Sequence, residues 1–190
     1  MKSIVKSIML VIGLFVLLIL LVNLLVGGQS CPIVDAKLKR LENEFNGISA
    51  AIYQYQDKYR ALPGDINRNG QIEGAFDSSQ TDDESRLVWL HLRQTGLIAG
   101  DLHDQQQPRN DFGGLIGIAT GISTGQNRGI PGLFVGFTKV PKKYVLMVEQ
   151  RADDSFPDQG QIQAHYLISG IAIPVKDYSQ EGFYNLYLTL

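Results

Sequence analysis

Hydrophobic and polar positions divide the chain into stretches of different periodicity. Residues 8–28 form one apolar run without a charge, in which Asn23 is the only strongly polar side chain. A helix of ~20 such residues crosses the ~30 Å hydrocarbon layer while making its backbone hydrogen bonds internally. The run exceeds the roughly 7–15 apolar residues of a cleavable signal peptide, so the expectation is a transmembrane anchor over 8–28 after a short cytoplasmic tail, 1–7. Lys2 and Lys6 precede it, while Lys37, Lys39 and Arg40 follow at some distance. Charge alone does not orient the anchor. The short tail favours an internal N-terminus. Gly28 and Ser30 before Cys31 leave cleavage open as an alternative.

A second pattern begins beyond Pro32. Val34, Leu38, Leu41, Phe45, Ile48, Ile52, Tyr55 and Tyr59 recur in alternating steps of four and three, which places them on one face of a helix. Charged residues from Asp35 to Lys58 fill the positions between them. The pattern predicts an amphipathic helix within 29–62, ended by Leu62-Pro63-Gly64. Its stripe has two readings. It packs on a sheet of its own domain, or Val34, Leu38, Leu41, Phe45, Ile48 and Ile52 form a subunit interface.

The remainder, 63–190, reads as a globular head. Thr81 and Glu84 stand three apart before Leu87, Val88, Leu90 and Leu92, a capping-box pattern that predicts a helix over 82–95, stopped by Gly96. Short apolar pieces, including 115–119, lie in a glycine-rich stretch. Residues 132–138 read as a strand. In 139–151 helix and strand compete, with Pro141 suited to a first helical turn. The stretches 161–168 and 183–190 alternate as strands do. The expected class is α+β, with a long N-terminal helix packed on an antiparallel sheet.

Composition narrows the function classes. The 17 Lys+Arg and 19 Asp+Glu nearly balance, so net charge gives nucleic-acid binding no support. A single cysteine, Cys31, excludes a disulfide framework within the chain. His91, His103 and His165 show no metal-ligand spacing, and nucleophile-elbow, phosphate-loop and paired-cysteine motifs are missing from the sequence. A non-enzymatic role is the expectation.

Two loops carry candidate chemistry. Asp65, Asn67, Asn69, Gln71 and Glu73 place oxygens at alternate positions around Gly70, as in the front half of an EF-hand-like calcium loop. Position twelve, where such a loop carries its closing acid, is Phe76, and Asp77 follows it. An Asx-rich turn without metal explains the same residues. Asp153, Asp154 and Asp158 form a second acidic loop, which reads as a calcium site or as a solvated turn. Calcium is the one cofactor the residues suggest.

Several of these segments resemble a known group in the same order along the chain. Asp35-Ala36-Lys37-Leu38-Lys39-Arg40-Leu41-Glu42 and Ala51-Ile52-Tyr53-Gln54-Tyr55-Gln56-Asp57-Lys58-Tyr59-Arg60-Ala61-Leu62-Pro63-Gly64-Asp65 are similar to the helix-to-loop region of bacterial type IV pilin-like proteins, including the pseudopilins of type II secretion. Asn69-Gly70-Gln71-Ile72, the segment from Glu84 to Arg93, Gly96-Leu97-Ile98 and the turn from Arg151 to Gly160 follow. The resemblance implies a pilin-like fold. It also implies a structural or accessory role at the bacterial inner membrane, with the head in the periplasm or extracellular space. The implied partners are the lipid bilayer and other pilin-like subunits or secretion machinery. The chain departs from the group at its leader: Gly13 is followed by Leu14, Leu18 stands where an acid is expected, and the span carries no acid. A stand-alone anchored binding module that does not polymerise is the alternative.

Overall fold

The computed structural model describes residues 32–121, 129–169 and 171–190. The expected anchor over 8–28, the tail before it and Cys31 lie outside the described residues. The chain divides into two compact units, residues 1–36 and 37–190. Of the first, only the opening turn of a helix is described.

That helix, α1 (Pro32–Tyr59), carries the four-and-three stripe. Leu38, Leu41, Ile48 and Ile52 are buried, and each such side chain removed from water contributes roughly 1.5–3 kcal/mol. Past Tyr59 the Arg60 backbone turns left-handed, and its N–H donates to the Gln56 carbonyl at 2.8 Å. The chain then passes Leu62-Pro63-Gly64 into a long loop. The short helix α2 (Glu84–Gln94) follows, burying Val88, Trp89 and Leu92.

The rest of the head is β1 (Ile116–Thr120), β2 (Leu133–Pro141), α3 (Lys142–Ala152), β3 (Ile162–Ile168), β4 (Ile171–Pro174) and β5 (Phe183–Thr189). Pro141 precedes the first turn of α3, where its missing N–H costs no helical bond. The strands form one antiparallel sheet in the order β1-β2-β5-β3-β4, with β5 in the middle between β2 and β3.

Strand register produces two different faces. On one, Ile118, Val135, Leu188 and Ile162 stand side by side across four strands, an aliphatic row. Phe45 of α1 and Val148 of α3 meet Ile162 and Leu188 around a groove of about 330 Å³. On the other face the matching row is Gly117, Gly136, Tyr187 and Gln163. Two neighbouring glycines leave a slot in the sheet, and Phe76 fills it. A Cβ on Gly117 would overlap the Phe76 carbonyl, and one on Gly136 would overlap its ring. Phe76 packs edge-on to Tyr187, with ring centroids 5.3 Å apart, and lies 5.9 Å from Phe134. Ala119 and Ile130 complete this buried cluster.

The class is α+β, but the expected pilin-like architecture is corrected on two points. The long helix resolved here is amphipathic: Lys37, Lys39, Arg40, Glu42 and Glu44 interrupt it within two turns. Among the described residues no helix is long and apolar enough to cross a membrane. The sheet has five strands, larger than the pilin-like reading implied, because the β3–β4 hairpin extends it past β5.

Candidate functional site

The loop from Asp65 to Phe76 is organised by hydrogen bonds to its own backbone. Asp65 Oδ1 accepts the Asn69 N–H at 3.1 Å and Oδ2 the Gly70 N–H at 2.9 Å. Asn67 Oδ1 takes the Asn69 N–H at 2.9 Å, and Asn69 Oδ1 the Gln71 N–H at 2.8 Å. The Asn69 amide group donates to Glu73 Oε1 at 2.9 Å, while Gln71 is exposed. Side-chain oxygens of Asp65, Asn67 and Asn69 are therefore engaged by backbone N–H groups of the loop, in Asx turns at Asn67 and Asn69. Phe76, at the position of the closing acid, is the plug in the sheet.

Glu84, read from sequence as half of a capping box, has another task. The residue before α2 is Asp83, which makes no side-chain cap. Glu84 instead turns into the loop: Oε1 accepts the Ile66 N–H at 3.0 Å and Oε2 the Glu73 N–H at 3.0 Å. His91 also serves this loop, since its Nδ1 accepts the Gly64 N–H at 2.9 Å and its ring stacks on Tyr55. Burial pushes the imidazole pKa below its usual value, which keeps Nδ1 free to accept.

The second acidic loop lies at the end of α3. Asp153 and Asp154 come together with Glu149, one carboxylate oxygen of each lying within 4.8 Å of the others. Asp158 is exposed and outside this group. Glu149 is fully buried. Its Oε1 accepts the Tyr178 phenol, and its Oε2 has no hydrogen-bond partner among the described residues. Burial, with the neighbouring Asp153 and Asp154 charges adding to it, raises the Glu149 pKa to about 7. Burial and the Glu149 carboxylate push the Tyr178 phenol up as well.

Sequence reasoning passed over Glu149 and Tyr178. A signal for Glu149 was present: an acid in the last turn of a helix, four residues before Asp153, opposes the helix dipole and calls for a compensating partner. Nothing local marks Tyr178, which arrives from the loop before β5.

A third polar group is buried in the sheet. His165 Nδ1 lies 3.3 Å from the Tyr187 hydroxyl, beside Asn185 and Gln163. Burial lowers the His165 pKa to about 4 and raises that of Tyr187.

Of the stripe considered as an interface, Leu38, Leu41, Ile48 and Ile52 are covered by the chain itself, whereas Val34 and Phe45 are half-exposed. The outward side of α1 presents Asn43, Asn46, Tyr53, Asp57 and Lys58. Comparison with family models, curated proteins and solved structures gave no match.

Proposed function

We propose that this chain is a membrane-anchored structural or accessory component working beside pilin-like subunits in a type IV pilus or type II secretion-like assembly at the bacterial inner membrane. The ordered motifs from Asp35 to Gly160, downstream of an uncharged apolar run, carry the reading. The exposed side of α1 supports it with a contact surface. Tyr53 stands out there among polar neighbours, a side chain suited to a hydrated protein interface.

The test is a photo-crosslinking residue placed at Tyr53 and, separately, at Leu38 in the full chain within its native membrane. Position 53 is expected to capture a pilin-like or secretion subunit, and position 38 to give intramolecular products only. Recovery of the protein in the soluble fraction beginning near Cys31, with no partner captured, overturns the proposal.

The lack of an acid in the apolar run favours a second reading, an anchored extracytoplasmic binding module that does not polymerise. A deletion strain with intact pili and intact secretion selects it.

A further inference from the structure

We infer that Glu149, Asp153 and Asp154 form a binding site for a hard divalent cation of the calcium type, which joins the end of α3 to the loop leading into β3. The inference is independent of the proposed assembly role and differs from the acidic loop read in sequence. A helix residue is added, and Asp158 drops out.

Three observations carry it. First, one carboxylate oxygen from each of the three acids falls within 4.8 Å of the others. Like charges this close repel, and they sit where the carbonyls ending α3 add further negative potential. Second, Glu149 is fully buried, and its Oε2 makes no hydrogen bond of ordinary geometry among the described residues, although the Ser155 backbone N–H also acts on the carboxylate. A bare oxygen inside a folded protein is costly unless a proton or a cation satisfies it. Third, each carboxylate of the cluster is held by a hydrogen bond. Glu149 Oε1 holds the Tyr178 phenol, Asp153 Oδ2 takes the Ile162 N–H at 2.5 Å, and Asp154 Oδ1 takes the Phe156 N–H at 2.9 Å. These bonds orient the three carboxylates. Gly160 permits the closure, because a Cβ there would overlap the Asp153 carboxylate.

The donor chemistry selects the ion. An all-carboxylate set suits calcium or magnesium and offers no nitrogen or sulfur to zinc or copper. Three protein ligands, one of them buried and two on a loop, leave coordination positions for water. That places calcium affinity on the order of 0.1–1 mM, in the range of extracellular modules. An ion there would fix the last turn of α3 to the start of the loop that follows it.

The test uses the full chain in detergent, with melting followed at neutral pH in a chelator, in 10 mM magnesium and in 10 mM calcium. Calcium is expected to raise the melting temperature by about 3–6 °C, and magnesium by less. Glu149→Gln and Asp154→Asn are expected to abolish the calcium shift, while Asp158→Asn keeps it. Asp154 is exposed, so its variant reports even if Glu149→Gln fails to fold. No calcium shift in the wild type means that a proton alone satisfies Glu149, and the inference fails. A shift that survives in Asp154→Asn and is lost in Asp158→Asn places the ion elsewhere on the loop, and the inference fails equally.

Discussion

Glu84 accepts the backbone N–H of Glu73 through Oε2 at 3.0 Å, while its Oε1 takes that of Ile66 at 3.0 Å. One carboxylate at the start of α2 thus holds both ends of a loop that has little apolar surface of its own. Truncating it strands two amides that face inward. We expect Glu84→Ala to lower stability by about 2–4 kcal/mol in urea unfolding, with the protected loop amides exchanging faster. Glu84→Gln keeps one acceptor and is expected to cost less. A loss below about 1 kcal/mol for the alanine variant would show that water replaces the carboxylate.

The Phe76 plug makes a prediction of opposite chemistry. Gly117→Ala adds one methyl group where the Phe76 carbonyl already sits, so the plug or the strand must move. Overpacking of this kind costs typically about 1–3 kcal/mol, and a backbone atom yields less readily than a side chain. Gly47, exposed in α1, is the control, since a Cβ there meets nothing within 4 Å. Gly47→Ala is expected to raise stability by about 0.5–1 kcal/mol through helix propensity alone. Thermal melts of the two variants should move in opposite directions.

The glycine slot filled by Phe76 also shows where sequence reading stops. α1, α2 and β5 are legible because each packs on a surface that imposes a period on its apolar residues. β4 is not, being four residues long, exposed, and ended by Pro174. Gly117, in a glycine-rich stretch, and Gly136, within a segment read as a strand, carry no sign of a packing role in isolation. Their meaning as a slot appears only when strand register sets them side by side. Phe76 likewise reads as a defect in a calcium loop until that slot is known. Asp153, Asp154 and Asp158 look alike along the chain, but the fold gathers the first two with Glu149 and leaves the third exposed. The helix end distinguishes them: Glu149 lies four residues before Asp153, whereas Asp158 lies farther along the loop.

Surface ion pairs are expected to matter little. Arg40 and Asp111 are 2.9 Å apart, yet the arginine side chain is largely solvent-exposed. Such pairs contribute about 0–1 kcal/mol and weaken with salt. Arg40→Ala should therefore shift the urea midpoint only slightly, and less still in 0.5 M salt. A cost above about 2 kcal/mol would reveal a wider network through Asp111.

His165 predicts acid sensitivity. Burial lowers its pKa from 6.5 to about 4 in the folded chain. The folded state then binds fewer protons than the unfolded state between these values. Its contribution is fully present above pH 6.5 and is lost as pH falls through about 4. We expect His165→Gln, of similar size and unable to titrate, to flatten the loss of stability across that window. Denaturant unfolding at pH 4.5, 5.5 and 6.5 for both proteins checks it, and parallel curves would refute the assignment.

Glu149 acts in the opposite direction, which makes the pair separable. Its pKa rises from 4.5 to about 7, so the folded state holds a proton that the unfolded state has released between those values. The contribution is fully present below pH 4.5 and is lost as pH rises through about 7, amounting to at most about 3 kcal/mol. In wild type this loss overlaps the gain from His165, and the profile between pH 5 and 6.5 should be nearly level. Glu149→Gln removes one side of the balance. We expect its stability to rise with pH across that interval and to exceed wild type at pH 8 in the presence of chelator. The double variant with His165→Gln should be level again. If Glu149→Gln instead follows the wild-type profile at every pH, the carboxyl group is charged throughout. The raised pKa assigned to it is then wrong, and the compensation with His165 goes with it.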